Sequence, residues 1–499
     1  MAMTGISARG LHVERGTSRP TAPAGGEAAA TGVGPLEGTT PLFYLYLLVL
    51  VIEYLGLGDD IPILKVSRFS TISIFFILAV VLAKVGGEAF TRYRQSRLVG
   101  VFVLYAFLTL PIAVITSTAL WAARTYVDDL ALVLVTAYLV DRPARVRAVA
   151  ATGAFIVVFL VTRNVSLLGS SGRAFGMRTG YFLNDGNDFA WGMTVLMPWC
   201  IFLALTRQGL LLRALGAAGA VAALFGIVGS QSRGGTLALA GMALFYWVFL
   251  AKRKMLGVVV IVAAIGIVLV VAPPGYFQRI QSIQNYEEDN SAQARLQAWS
   301  AATRMAIGFP LGVGANNFGS AYGRYYIPKG DANVLGWGAG RWLSPHSVYF
   351  RLLGECGILG VVWILTLIIW SYNDNMAAHR ALSASSNADT LSAAWPLMLN
   401  MSLIGYAVSG IFLGGIAYPH LYWLSGLIVS AKRHSEWAQA QSAASTVLPV
   451  HAGSSRTPVV IPEIRIPPGP ARGAARPVLN IADRARLALN SRPRRRQPS

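Results

Sequence analysis

The sequence has little charge and almost no cysteine. Only 13% of its 499 residues are charged and two are cysteines, whereas 54% are apolar. An average soluble domain has about 25% charged residues, so this composition argues against a soluble protein and predicts a chain that lies mostly in lipid. Cys200 and Cys356 both fall inside predicted helices, which supports neither a disulfide framework nor a thiolate metal site.

The two ends of the chain lack the features of folded or cleaved segments. Residues 1–40 have no apolar core followed by a small-residue cleavage site, which argues against a cleavable signal peptide. Residues 432–499 are rich in arginine and proline, and we expect both tails to be disordered and cytoplasmic. The net charge of +20 includes the second tail; this tail either contacts anionic lipid headgroups or only fixes the topology. We expect no nucleic acid partner.

Apolar runs divide residues 41–431 into about twelve candidate transmembrane helices, each near the roughly 20 residues that a span requires. The fold class predicted is an all-α polytopic membrane protein. The predicted spans are 41–57, 68–85, 99–119, 123–140, 146–163, 186–206, 210–229, 233–251, 255–273, 346–371, 392–413 and 415–431.

Basic residues indicate the orientation of these spans. With both termini in the cytoplasm, nearly every short inner loop is basic, as the positive-inside rule requires; an example is the loop that contains Arg142, Arg145 and Arg147. The outer side then receives residues 164–188, 229–235, 273–345 and 412–418. The segment 273–345 is long enough to be functional, and we expect it to form a large helical loop.

A polar turn on the outer side, Ser232 to Gly235, contains Arg233. An arginine at a membrane helix end can simply extend to the interface. The alternative is a ligand role, because glycines let a backbone approach a ligand and a guanidinium fits phosphate oxygens. Both interpretations remain open on these residues alone.

Two further motifs lie in the segment 273–345. Residues 291–306 predict an amphipathic helix at the membrane surface in which Arg295 and Trp299 share a face; it is either a structural brace or a site for an anionic headgroup. Residues 308–319 are punctuated by glycine and lack the ending of a Walker phosphate loop. We interpret them as a packing turn that places Asn316 and Asn317.

His346 stands at the predicted start of a long apolar helix. Ser344 is an acceptable N-cap and Pro345 suits the first helical position. The helix dipole would then disfavour imidazolium and leave a neutral base; the alternative is a capping histidine without chemistry. Glu355 lies too deep to orient this imidazole, and its spacing from Arg351 predicts a structural ion pair.

These motifs resemble the O-antigen ligase and polymerase superfamily, integral-membrane glycosyltransferases that use undecaprenyl-diphosphate-linked sugars. Residues 181–190, which contain Asn184 and Asp188, also resemble the start of a middle helix in that family. The resemblance covers residues 181–370, and it departs from the common pattern at Ser347, where asparagine often follows the histidine.

The resemblance implies transfer of a glycan to an acceptor hydroxyl on the periplasmic face of the bacterial inner membrane, without metal or cofactor. It implies that His346 is the base and that Arg233 and Arg295 bind the diphosphate. The substrate-binding candidates are Ser232, Asn184, Asp188, Trp299, Asn316 and Asn317, although Asp188 could instead cap a helix.

Several functions remain open at this point. We favour a ligase whose acceptor is the lipid A core or another surface molecule, and the nearest alternative is a polymerase of the same superfamily. A transporter or flippase of lipid-linked glycans fits less well. Transporters place charged groups near the bilayer midplane and contain repeated halves, whereas the predicted spans of this sequence are nearly free of charged groups and show no repeat. The expected partners are a lipid-linked glycan donor, a lipid or glycan acceptor, and membrane lipids.

Overall fold

A computed structural model of the chain describes residues 34–168, 177–206, 208–251, 253–272, 276–277, 290–326, 343–385 and 390–447. Within these ranges the regular structure is helical and no strand occurs. The predicted all-α class is therefore confirmed.

The longer helices follow the predicted apolar runs closely. In chain order they are α1 Thr40–Leu55, α2 Phe69–Val85, α3 Arg94–Leu108, α4 Thr116–Leu139, α5 Pro143–Arg163, α6 Gly186–Leu205, α7 Leu210–Gly229, α8 Arg233–Phe245, α9 Lys254–Val271, α10 Asn290–Gly308, α11 Val348–Ala384, α12 Thr390–Ser409 and α13 Pro419–Val447. A π-helical segment, Tyr246–Leu250, continues α8, and short helical turns lie between several of the other helices.

Fewer helices than the predicted twelve have both the length and the apolar composition of a membrane span. Four helices in the described ranges are long and apolar enough to cross a bilayer, namely α5, α6, α7 and α11. Shorter apolar helices are α1, α2 and residues 257–270 of α9. The chain is therefore a helical membrane protein, and the predicted count of twelve is not established.

One predicted span is divided in the structure. The run 99–119 contains the end of α3 at Leu108, a short turn Leu110–Ile112, and the start of α4 at Thr116. Pro111 explains the division, because proline lacks a backbone N–H and its ring disfavours helical geometry in the residue before it. The apolar side chains around it conceal the break in a hydropathy profile.

Two helices are longer than predicted at the end opposite the candidate site. α11 continues to Ala384, and α13 continues to Val447, into the region expected to be a disordered tail. The first turns beyond residue 431 are held by contacts: Lys432 pairs with Asp374 at 3.1 Å, and Arg433 donates to the carbonyl of Ala137 at 2.7 Å. Residues 448–499 and 1–33 lie outside the described ranges.

Helix α6 lies at the centre of the packing. It contacts α5, α7, α8 and α12, and 72% of its most apolar window is buried, against 33% for α7. Its side chains Trp191, Trp199 and Cys200 are fully buried. The helix is therefore surrounded by protein, and it places its first turn inside the bundle.

Contacts between loops group the predicted outer segments at one end. There the amide of Gly180 donates to the backbone carbonyl of Tyr54 at 3.1 Å, and the amide of Val114 donates to the backbone carbonyl of Val313 at 3.0 Å. At the other end, the amide of Leu36 donates to Asp141 at 2.7 Å. This grouping is what helices crossing in alternate directions produce.

Candidate functional site

His346 precedes α11 and is not part of it. The helix begins at Val348, and its N-cap is Ser347, whose hydroxyl accepts a hydrogen bond from the amide of Phe350 at 3.5 Å. The predicted cap at Ser344 and the predicted helical position of Pro345 are therefore wrong. His346 is exposed and has φ +42°, in the left-handed region. It does not lie in the first turn of α11, where the helix dipole was expected to disfavour the imidazolium form.

Trp299 holds the peptide that precedes His346. Its indole N–H donates to the carbonyl of Pro345 at 2.7 Å, and its ring stacks on Phe350 with centroids 4.6 Å apart and planes at 8°. Trp299 was a candidate for contact with substrate. The structure instead engages both its ring and its N–H with the segment that carries His346.

Helix α10 runs alongside the start of α11 in the same direction. Trp299 lies against Phe350, and further along the two helices Met305 meets Gly354. The expected surface helix is thus packed against α11. Its fully buried Ala298, Ala301, Ala302 and Met305 form a cluster with Val313, Phe318, Ala321 and Tyr322. Arg295 lies four residues before Trp299, which is about 6 Å back along the axis, and so on the His346 side of α10.

The connection between α12 and α13 contacts His346 and also Gly234, the residue that follows Arg233. A Cβ added at Gly414 would lie 3.5 Å from Cα of His346, and the carbonyl of Gly410 accepts from the amide of Val348 at 2.8 Å. Phe412, between these two glycines, lies 3.2 Å from a Cβ added at Gly234. Residues 410–414 therefore pack against both the turn that contains Arg233 and the backbone of His346.

The glycines beside Arg233 serve packing. A Cβ at Gly235 would come within 2.7 Å of Ala190 on α6, and Gly234 faces Phe412. Ser232 is buried, and its hydroxyl accepts from the amide of Gly235 at 3.2 Å as the N-cap of α8. The structure therefore gives Ser232 a capping role, and it leaves Arg233 as the half-buried first residue of α8.

Helix α11 is broken at Gly357, which has φ +64° and ψ −164°. Two of the carbonyls that the break frees accept from the glycine-rich turn instead: Gly354 from the amide of Val313, and Glu355 from that of Gly314, both at 3.0 Å. Tyr105 donates its hydroxyl to the third, that of Cys356, at 2.9 Å. The predicted packing turn therefore packs against an interruption in the helix that the sequence did not reveal.

Arg351 joins three segments. Its guanidinium donates to Glu355 at 3.0 Å, to the side-chain oxygen of Asn316 at 2.6 Å, and to the carbonyl of Gly414 at 2.7 Å. Glu355, 1% exposed, also accepts from the amide of Asn316 at 2.8 Å. The ion pair expected from the spacing is present, and it links the glycine-rich turn to the 410–414 connection.

The two asparagines of the glycine-rich turn differ in exposure. Asn316 is exposed with φ +55°. Asn317 is fully buried, and its side chain pairs with the backbone of Ile115, accepting from the N–H at 2.9 Å and donating to the carbonyl at 3.1 Å. Asn317 therefore fastens the turn to the segment before α4 and is not available to a ligand in this conformation.

Asp188 and Asn184 lie at the start of α6. The N-cap is Asp185, whose carboxylate accepts from the amides of Asn187 and Asp188 at 2.7 and 2.9 Å. Asp188 is thus not the cap, and its own carboxylate accepts from the hydroxyl of Tyr418 at 2.9 Å. Asn184 is exposed. The Asp188 contact ties α6 to residue 418, just beyond the 410–414 connection.

A scan of the described part of the chain finds no group of three or more histidine, cysteine, aspartate or glutamate side chains arranged to hold a metal ion. His420, the second residue of α13, is fully buried and is hydrogen-bonded to Tyr54 at 2.9 Å. Of the two, His346 alone presents its side chain at the surface.

Comparison with known families matches residues 218–365 to the family described as O-Antigen ligase. This part of the chain is similar to the O-antigen ligase family. The match supports membership of the O-antigen ligase and polymerase superfamily, and with it an enzyme of glycosyltransferase type, acting on lipid-linked glycans in a bacterial membrane. A search of curated proteins found no significant match.

The matched region begins in α7 and ends in α11. It contains Arg233, Arg295, Asn316 and His346, together with the break at Gly357. The parts of the site that lie outside the match are the first turn of α6 and the 410–414 connection. The first turn of α6 was already a candidate from the sequence. The role of the 410–414 connection was not, and its local signal was the pair of glycines at 414 and 415.

Proposed function

We propose that this protein is an O-antigen ligase-like glycosyltransferase. It moves a glycan from an undecaprenyl-diphosphate donor to an acceptor hydroxyl on the lipid A core or another surface molecule. The reaction takes place without a metal, on the periplasmic face of the inner membrane, and both termini are cytoplasmic. In this proposal His346 is the base, and Arg233 and Arg295 bind the diphosphate.

The observation that carries the proposal is the 410–414 connection. It packs against Gly234, which follows Arg233, and against the backbone of His346. Arg295, one turn before Trp299 on α10, adds a second cation on the His346 side of that helix. A cationic group and a base therefore border the same connection, and this is the pairing that transfer from a glycosyl diphosphate requires.

The chemistry uses an already activated donor. The bond between the anomeric carbon and the diphosphate oxygen breaks, and its electron pair stays on the lipid diphosphate, where the arginines stabilise the charge. The acceptor oxygen forms the new bond to the anomeric carbon and gives its proton to the imidazole of His346. The exposed Asn184 and Asn316, and the carboxylate of Asp188, are the groups we assign to sugar hydroxyls.

His346→Ala tests the base. We expect it to abolish transfer in membranes while the purified protein still retains a radiolabelled undecaprenyl-diphosphate glycan. The matched control is His379→Ala, because His379 lies on α11 far from the site and contacts the carbonyl of Ala393 at 2.7 Å. Transfer at the parental rate by His346→Ala would refute the mechanism and favour a transporter of the same lipid.

The acceptor distinguishes a ligase from a polymerase, because both break the same bond in the donor. Deletion of a ligase leaves finished glycans of normal length on the lipid carrier. Deletion of a polymerase leaves single repeat units there. Accumulation of single units in the deletion host would therefore reassign this protein to polymerisation, with the roles of His346 and the arginines unchanged.

A further inference from the structure

The backbone of His346 has an unusual conformation. Its φ of +42° is in the left-handed region, which a residue with a side chain occupies stably only where the surrounding structure imposes it. The φ angle is set by the plane of the peptide between Pro345 and His346. Groups that fix this plane therefore fix the direction of the imidazole.

Trp299 fixes this plane from one side. The carbonyl that accepts its N–H at 2.7 Å belongs to that peptide. Stacking on Phe350 holds the indole in place, so the hydrogen bond has a rigid donor. Rotation of the peptide to the common φ range would move the carbonyl and break this bond.

Arg351 acts from the other side through Gly414. The Gly414 backbone lies against His346 and Ser347, at 3.5 and 3.4 Å from a Cβ added to the glycine. The carbonyl of Gly414 is held by Arg351 at 2.7 Å, and Arg351 is in turn held by Glu355. Glu355, too deep to touch the imidazole, is thereby linked to the backbone of His346 through Arg351 and Gly414.

We infer that Trp299 and Arg351 are positioning residues that clamp the His346 backbone, so that the imidazole faces the acceptor hydroxyl. This rests on the proposed function of His346 as base. A displaced base slows the proton transfer, because reaction rates depend steeply on the placement of the reacting groups. Donor binding depends on other residues, so the clamp acts on kcat and leaves the KM for the lipid-linked donor unchanged.

Trp299→Phe is the decisive variant, since it keeps a ring to stack on Phe350 and removes the N–H. Trp363→Phe is its matched control. Trp363 also donates to a backbone carbonyl, that of Leu98 at 2.8 Å, and also stacks on a phenylalanine, Phe102 at 3.9 Å. The two variants lose the same chemical group from the same type of contact.

We expect Trp299→Phe, in the full-length protein in detergent, to lower kcat by about tenfold or more with unchanged KM for the donor. Trp363→Phe should keep the parental kcat. Melting temperatures of the two Phe variants provide the check for misfolding.

Two results would overturn the inference. A raised KM with unchanged kcat in Trp299→Phe would make Trp299 a substrate contact. Equal kcat in both Phe variants, with His346→Ala inactive, would leave the proposed function intact and remove the clamp.

Discussion

Gly357→Ala should destabilise the protein through the break in α11. A residue with a side chain at φ +64° and ψ −164° occupies a region that is essentially restricted to glycine, at a cost of about 1–3 kcal/mol. Its Cβ would also collide with the carbonyl of Pro310. If the helix straightens to relieve the strain, Val313 and Gly314 lose their acceptors and Tyr105 loses one of its two, at about 1 kcal/mol per hydrogen bond. We therefore expect a loss of about 2–3 kcal/mol by either route.

The measurement is thermal unfolding in detergent, followed by tryptophan fluorescence, together with limited trypsin digestion. The glycine-rich turn lies between Arg304 and Arg324, so its release should speed cleavage at these residues. Gly100→Ala is the matched control: nothing lies within 4 Å of a Cβ there, and alanine within a helix is favoured over glycine by about 0.5–1 kcal/mol.

A second variant tests the stated cause. Tyr105→Phe removes the hydroxyl that donates to Leu311 and Cys356 at 2.7 and 2.9 Å, and alone it should lower the melting temperature. Combined with Gly357→Ala it should add less than it does alone, because the carbonyl of Cys356 has already moved. A melting temperature and digestion rate equal to the parental protein in Gly357→Ala would refute the role given to this break.

Three further outcomes are expected from the proposed function. Arg233→Lys and Arg295→Lys should each lose most transfer activity, because an ammonium cannot reproduce the two-pronged contact of a guanidinium with phosphate; full activity in both variants would reduce them to interfacial anchors. A cysteine introduced at Tyr325 should react with an impermeant reagent from the periplasmic side. Both native cysteines are buried, so they should contribute little background labelling. Labelling only after the inner membrane is permeabilised would reverse the orientation. Transfer should persist in EDTA, whereas a loss that a divalent ion restores would contradict the metal-free mechanism.

Helix positions followed from the sequence wherever local pattern and packing agree. The apolar run 210–229 coincides with α7, and the amphipathic pattern 291–306 corresponds to α10. The i, i+4 spacing of Arg351 and Glu355 likewise anticipated their contact at 3.0 Å. In each case the spacing along one helix determines which side chains face the same way.

The break at Gly357 could not be read from the sequence. An isolated glycine in an apolar run is tolerated in a helix, and the run around Gly357 meets every requirement of a span. The interruption depends on residues 313 and 314, which supply donors to two of the freed carbonyls from more than forty positions earlier in the chain. This is a tertiary contact, and no local preference encodes it.

The start of α11 presents a similar problem. Ser344 and Ser347 are equally good N-caps by type, and Pro345 favours the first of them. The second is selected by contacts made elsewhere in the chain, namely the hydrogen bond from Trp299 to Pro345 and that from the amide of Val348 to Gly410. The left-handed conformation of His346 follows from this choice.

The 410–414 connection has a consequence for protein engineering. The O-antigen ligase match ends at residue 365, about 45 positions before this connection, and Asn317 is held by Ile115, far upstream of the match. A chimera that exchanged only residues 218–365 between two relatives would place a foreign His346 against Gly414 of the host, and a foreign glycine-rich turn against the host's residue 115. Exchanges of substrate specificity should therefore take both contact partners along with the matched region.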